Sequence, residues 1–497
     1  MIRLEKLRRV WLFLMVTGCC LYTMQGQDMF SAMKDTSGFY FVDFKNYPIN
    51  DHSLALGVFD SGTGGLTVLD AIIRFDKYQN YSVEPVPDCL PDFGREHFIY
   101  LADQANMPYG NYAGTGKTDL LVEHIFKDVQ FLLSDKYYIS NKTGSYMSGK
   151  PRVKAIVIAC NTATAYGQKK ITDYFEQIGF PMKVIGVIDA GSRAALQKFS
   201  KDEEGSIAVF ATAGTVASGG YERSLKSLME AQSYTGTIQI FSQGGTGLAE
   251  AIDEDINYID RKADRPRDIY KGPDVDYSSS GIEKQFLEIY NFDFSSQKML
   301  CDAADPEQCS IIQINDPVNY LRFHLVSLME KIRAFPGSKP LKTIILGCTH
   351  YPYLILEMEH ILNELRNYQE NGEFRYRHLM AEKIHLIDPA FNTADELYRY
   401  LYETKSINRH GNMLNNSEFY ISLPNLANPG VITDPEGRFT YEYKYGRNAG
   451  EIQEYVRVVP FVNENILMDV KNRLRKQIPV TWQLIEAFHG NVRIAEK

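Results

Sequence analysis

The 497-residue chain lacks an excess of positive charge. Its 53 lysines and arginines stand against 62 aspartates and glutamates, a net charge of −9. That balance argues against a nucleic-acid partner, which calls for a basic face. It also lacks closely paired thiols. Beyond Cys19 and Cys20 the cysteines are Cys89, Cys160, Cys301, Cys309 and Cys348, without the short paired spacing of a zinc site. No lysine signature suggests pyridoxal phosphate. Gly110–Thr118 imitates a phosphate loop, but the Walker A pattern needs glycine where this chain has Asn111. Gly62-Thr63-Gly64-Gly65 lacks the spacing of a dinucleotide fingerprint. After the N-terminus no segment reads as a membrane span.

What is present is ordinary in bulk: 44% hydrophobic and 23% charged residues, and a length sufficient for two or three domains with full cores. The N-terminus has its own pattern. Arg3, Lys6, Arg8 and Arg9 precede the apolar run Val10–Val16, which is too short to span a bilayer and has the layout of a secretory signal. Val16-Thr17-Gly18-Cys19 resembles a bacterial lipobox, so Cys19 is the expected lipid anchor and the only expected contact with a membrane. The rival cleavage after Gly26 would put bulky Met24 where a small residue is wanted. An exported protein, periplasmic or membrane-anchored, is the expectation. In an oxidising compartment Cys301 and Cys309, flanking a polar loop, can bridge; two free loop thiols are the alternative.

From Leu54 onward, short β-branched runs end in Gly-, Asn- or Thr-rich loops and alternate with amphipathic stretches such as Asp119–Leu133 and Val318–Ile332. This predicts an α/β fold with mainly parallel sheets. Two segments stand out: Ala159-Cys160-Asn161-Thr162-Ala163-Thr164 and Gly347-Cys348-Thr349-His350-Tyr351-Pro352. Each follows a run that reads as a buried strand, Val153–Ile158 and Thr343–Leu346, and puts a cysteine at the strand's carboxyl end, where such sheets build their sites. Gly57–Gly64 and Ala208–Thr215 also echo one another. Two similar halves imply two pseudo-symmetric lobes across a central cleft, each donating one thiol.

These motifs resemble the glutamate racemase family, within the aspartate/glutamate racemase superfamily. Leu56–Leu66, Asp103 with Pro108-Tyr109-Gly110, Val187–Arg193, Ala211–Ser218 and Leu386-Ile387-Asp388 follow in family order together with both cysteine boxes. The resemblance implies a cofactor-independent isomerase that interconverts L- and D-glutamate, or a closely related amino acid, by proton transfer at Cα, with no metal. It implies catalytic roles for Cys160 and Cys348, serving the D- and L-enantiomer respectively, with Asp60 and His350 as helpers. Ser61, Tyr109, Gly110, Asn161, Thr162, Thr212, Thr215 and Thr349 occupy the family's ligand positions, although several can equally be helix caps. A thiol suits this chemistry because its ordinary pKa, about 8.5, lies close to working pH. Helix N-termini directly after each box would favour the thiolate.

The expected division is a signal segment (1–27), an N-terminal arm or tether (28–53) and a first lobe (54–188). A second lobe (189–349) follows, with an insertion at about 257–316, then a return to the first lobe (350–424) and a C-terminal extension (425–497). Phe439–Tyr445 alternates aromatic and polar residues as a half-exposed strand does, and Phe461–His489 reads as helical apart from Pro479. The extension is read as an α+β element packed on the first lobe, or alternatively as a separate binding module. The family's Cys-Pro box is absent, since Ile238–Phe241 runs into Ser242-Gln243-Gly244-Gly245. His350-Tyr351-Pro352 favours the glutamate type over the aspartate type. Another superfamily reaction, a non-catalytic surface lipoprotein and a homodimer remain open alternatives.

Overall fold

Two sheets, one per lobe, organise the computed structural model. It describes residues 28–491 except 80–81, 253, 276–280, 436, 452–453, 463–465 and 467. The expected signal segment and Cys19 lie outside the described residues. In chain order the strands are β1 (Ala55–Asp60), β2 (Phe98–Ala102), β3 (Val153–Ile158), β4 (Lys183–Gly186), β5 (Gly205–Ala211), β6 (Ile238–Gly244) and β7 (Met299–Cys301). They continue with β8 (Ile312–Ile314), β9 (Leu341–Gly347), β10 (Gln369–Glu370), β11 (Glu373–Phe374), β12 (Met380–Ile387), β13 (Glu418–Pro424) and β14 (Val456–Pro460).

The first lobe's sheet has the order β14-β13-β2-β1-β3-β4, and the second lobe's has β12-β9-β5-β6. Every pairing in the two sheets is parallel except β13 with β14. Every residue of β1 and of β3 is buried. Helices cover both faces of such sheets, so their strands read as continuous apolar runs rather than alternating ones. That is why β3 has the bounds expected from the sequence and why β9 encloses Thr343–Leu346.

The division into segments differs from the expectation at one boundary. β12 pairs with β9 in the second sheet, so the chain returns to the first lobe after Ile387 and not at 350. The helix Pro389–Glu403 then packs against both Val187–Leu196 and Leu66–Ile73. The N-terminal stretch is an arm: Met29, Met33, Val42 and Tyr47 are buried in the first core, and the Tyr47 hydroxyl donates to the Val153 carbonyl at 2.7 Å.

The C-terminal extension belongs to the first lobe. β14 continues its sheet, and Trp482, Ile485 and Phe488 of the helix Pro479–His489 enter its core. Full burial of side chains of this size is worth about 1.5–3 kcal/mol each, so they bind the extension to the lobe. Pro479 splits the last helical stretch by starting the second of two helices. Phe439–Tyr445 is not a strand. Thr440 caps a short helix, Tyr441–Gly446, by accepting from the Tyr443 N–H, and the rings of Tyr441 and Tyr445 meet at 4.7 Å. Alternation would set the aromatics on one strand face, whereas one helical turn brings the same residues together at i, i+4.

The insertion is irregular but not loose. Ile289, Tyr290, Met299, Ile312 and Ile314 join the second core around the helix Pro317–Ala334. The ribbon β7–β8 is closed by a Cys301–Cys309 disulfide with Cα atoms 5.8 Å apart. Among the described residues no helix is long and apolar enough to cross a membrane.

Candidate active site

Cys160 follows β3 and Cys348 follows β9. Both are buried, and neither is in a disulfide. Their surroundings differ. Cys160 caps the helix Asn161–Gln177, and its sulfur accepts from the Ala163 N–H at 3.4 Å. The Ser61 hydroxyl lies 3.6 Å from the same sulfur. Burial and the charge of Asp60 outweigh these donors and push the Cys160 thiol up to about 12. Cys348 has no helix directly behind it. Its loop passes through His350 into a 3-10 turn, Tyr351–Leu354, with Pro352 in that first turn, and the longer helix starts only at Ile355. The expectation of a helix N-terminus after each box therefore holds for Cys160 alone. Cys348 instead has His350 Nδ1 at 3.6 Å from its sulfur.

Asp60 ends β1. Its Oδ2 accepts the Gly65 N–H at 2.7 Å, while burial pushes its carboxyl above the usual carboxylate range. Gly64 shows how closely the two lobes approach here. A Cβ added at Gly64 would meet Thr349 Oγ1 at 3.2 Å, Asp60 Oδ2 at 3.5 Å and His350 Cε1 at 3.7 Å. The loop after β1 and the loop after β9 therefore touch. A second bridge crosses the lobes. The Tyr221 hydroxyl, on the helix Gly220–Ala231, donates to Asn161 Oδ1 at 2.9 Å. The charges of Asp388 and Cys348 raise the Tyr221 phenol further, after burial. One tyrosine thus stands beside one cysteine and holds the residue that follows the other. A cavity of about 320 Å³ reaches this seam and is lined by Thr67, Ala159, Asn161, Cys348, Thr349 and Asp388, among others.

Thr212 caps the helix Ala213–Ser218, and its hydroxyl lies 3.0 Å from that of Thr215. Across the cleft Gly110 abuts Gly214: a Cβ on Gly214 would lie 3.2 Å from the Gly110 Cα. A Cβ on Gly110 would instead stand in ordinary contact, 3.6 Å from the Gly214 Cα, so the tight side of this approach is Gly214. Ser61 and Thr349 lie in the loops beside the cysteines, whereas Asn161 and the buried Thr162 open the helix after Cys160.

Tyr109 is placed differently from the expectation. Its buried hydroxyl lies 2.6 Å from Asp103 Oδ2 and 2.7 Å from Asp128 Oδ2. A phenol has one proton and cannot donate to two carboxylates. Burial and the charge of Asp103 push Asp128 well above the usual range. Asp128 therefore keeps its proton and donates to Tyr109, which donates to Asp103. The Tyr109 hydroxyl is spent inside the lobe, and only its backbone is left for a ligand. Sequence spacing gave no sign of Asp128 or Tyr221, because each acts on its partner from a different element, and no motif spacing links the two.

Among the described residues, Cys301, Asp302 and Cys309 bring their ligand atoms within 4.8 Å of one another. The two sulfurs are bonded to each other and are not available as thiolates.

No family model matches the chain. Curated relatives do. The chain is 27% identical over 310 residues to the glutamate racemase of Oceanobacillus iheyensis, covering 62% of this chain and 72% of the relative. It is 26% identical over 355 residues to that of Clostridium novyi, covering 71% of this chain and 86% of the relative. These similarities to glutamate racemases extend over 62% and 71% of the chain. Among solved structures, a glutamate racemase isoform from Bacillus anthracis shares 21% identity over 74% of this chain and 87% of that chain, with a TM-score of 0.41.

Proposed function

We propose that the protein racemises glutamate by moving protons at Cα between Cys160 and Cys348. One observation carries the reading. Each thiol follows a strand of a different sheet, and the two lobes meet beside them, through the Tyr221–Asn161 hydrogen bond and through the contact of Gly64, in the loop after β1, with Thr349 and His350. Such a seam can hold a carbon between two thiols.

Racemisation breaks the Cα–H bond on one face and forms a new one on the other, so one thiol must start charged and the other neutral. Cys160, held neutral by burial and Asp60, starts as the donor. Cys348 is then the first base, and His350 Nδ1, 3.6 Å away, is placed to take its proton. Cys348 takes the Cα proton as Cys160 delivers its own to the opposite face. The thiol and thiolate have then exchanged places, and the reverse turnover begins from the other side. A substrate ammonium drawn to Asp60 would offset the charge that keeps Cys160 protonated, making that reverse step accessible. Asn161 Nδ2 stays available to donate to the substrate carboxylate, because its oxygen is occupied by Tyr221.

The test is turnover of L- and D-glutamate in heavy water, with aspartate and other acidic amino acids as comparisons. Deuterium should enter Cα of the product enantiomer, and Cys160→Ala and Cys348→Ala should each abolish racemisation. Full racemisation by either single variant would overturn the two-thiol mechanism. Export through the N-terminal basic and apolar segment, with Cys19 lipidated, is part of the same proposal. Cell fractionation, together with loss of lipid labelling in Cys19→Ser, tests it; a full-length cytoplasmic protein retaining Met1 would refute it.

A further inference from the structure

The loop Asp103–Lys117, which carries Tyr109 and Gly110, is gripped from outside by residues 437–451 of the C-terminal extension. Lys444 Nζ donates to the Met107 carbonyl at 2.5 Å, and Arg447 Nη2 donates to Asn106 Oδ1 at 2.9 Å. Lys117 returns the grip, donating to the Arg447 carbonyl at 2.9 Å and to Asn448 Oδ1 at 3.1 Å. The Gly450 N–H donates to Glu123 Oε2 at 2.8 Å, fastening the segment to the helix Thr118–Leu133.

Arg447 is the unusual member. It is 6% exposed, yet among the described residues its Nε and Nη1 make no hydrogen bond of good geometry. Its guanidinium lies over the rings of Phe439, Tyr443 and Tyr455 at 4.8, 5.3 and 4.6 Å. Burying a cation is costly, and contacts with aromatic faces offset only part of that cost. The hydrogen bond it does make leads towards the site. A guanidinium can only donate, so Arg447 fixes Oδ1 of Asn106 towards itself and turns the amide nitrogen to Asp103. Asn106 Nδ2 reaches the two Asp103 oxygens at 3.1 and 3.0 Å, and Asp103 in turn holds the Tyr109 hydroxyl at 2.6 Å. Next in sequence is Gly110, the residue set against Gly214 of the other lobe.

We infer that residues 437–451 form a strap on the cleft, and that Arg447 is a positioning residue which sets the loop carrying Gly110 through Asn106, Asp103 and Tyr109. Its consequence for turnover rests on the racemase reading; its consequence for the loop does not. The strap lies in the appended extension, so part of this active site's rigidity comes from outside the two-lobed core.

The experiment uses the full chain with Arg447→Met, Arg447→Lys and the half-buried Lys444→Met, which keeps a readout if the first variant fails to fold. Lost positioning of a binding loop should raise KM for glutamate about fivefold or more in Arg447→Met and Lys444→Met, with kcat within about twofold of the parent. Arg447→Lys keeps a cation and a hydrogen-bond donor without the planar fork of arginine, and should recover part of the loss. Amide hydrogen exchange across residues 103–117 should quicken in Arg447→Met and Lys444→Met while that of β5 and β9 stays unchanged. If the parent protein turns over no amino acid, the racemase reading fails, and the exchange measurement alone decides the strap. Unchanged exchange at 103–117, or lower thermal stability with unchanged KM in an active protein, overturns the inference.

Discussion

The Tyr221 hydroxyl donates to Asn161 Oδ1 at 2.9 Å, joining a helix of the second lobe to the first residue of the helix that Cys160 caps. The Tyr221 ring also fills the space beside Gly347, where an added Cβ would lie 3.0 Å from it. The residue therefore senses both cysteine loops. Tyr221→Phe should keep the packing and remove only the tie. A net hydrogen bond is worth about 0.5–1.5 kcal/mol, or roughly 2- to 12-fold in binding. KM for glutamate should rise within that range, with a smaller change in kcat. An unchanged KM would show that Asn161 is oriented without Tyr221.

Cys160 should be an unreactive thiol in the ligand-free protein. With its pKa pushed up to about 12 by burial and the charge of Asp60, alkylation by iodoacetamide should be slow at neutral pH. Since the thiolate is the nucleophile, the rate should climb about tenfold per pH unit towards that value. Peptide mapping by mass spectrometry, with exposed Cys89 as the internal reference, follows each thiol separately. Rapid labelling of Cys160 at pH 7 would remove the argument that it begins as the proton donor. Asp60→Asn should accelerate its labelling by removing the charge that keeps the proton in place.

The cysteine boxes were legible because each thiol follows a short, mostly apolar strand, and a parallel sheet leaves that pattern in a single sequence. Partnerships between distant elements were not legible. Tyr109 sits in a motif that invites a ligand role, yet its hydroxyl is claimed by Asp128, a residue of the next helix. The sequence division puts β12 in the wrong lobe because a strand's own residues do not say which sheet it joins. Tyr441 to Tyr445 mislead through period. Aromatics at every second residue fit a strand, but the Thr440 cap and the contact four residues apart decide for a helix. Arg447 lies beyond the matched motifs, and its cage of Phe439, Tyr443 and Tyr455 exists only after that helix has formed.

Asp128 supplies a test of stability against pH. Its folded-state pKa is raised, by burial first and then by the charge of Asp103. A raised acid contributes stability that is fully present below its unfolded value, near 4, and is lost as pH rises towards the folded value. The amide introduced by Asp128→Asn does not titrate, and it can still donate to the Tyr109 hydroxyl. The variant should therefore melt above the parent at pH 8, and the gap should narrow as pH falls to 4. A constant gap across that range would mean that Asp128 is ionised in the folded protein and that the proton order through Tyr109 is wrong.

The Cys301–Cys309 disulfide should act on stability and not on turnover. It closes a short loop, with eight residues of sequence separation, for which chain-entropy arguments give about 2–3 kcal/mol. The loop has other ties. Asp302 Oδ1 accepts the N–H groups of Ser310 and Ile311 at 2.8 and 3.0 Å, and β7 and β8 pair at three positions. The ribbon should therefore persist without the bridge while opening more often. Met299, Ile312 and Ile314 belong to the second core, so that opening should reach the lobe and lower the unfolding midpoint. A double Cys301→Ser, Cys309→Ser variant should lose stability of that order, with kcat and KM unchanged, because both residues belong to the β7–β8 ribbon of the insertion and not to the strands β3 and β9 that lead into the cysteine boxes. Reductant should lower the parent's midpoint and leave the variant's alone. Equal midpoints with and without reductant would mean that the bridge contributes nothing. A fall in kcat would mean that the insertion shapes the cleft after all.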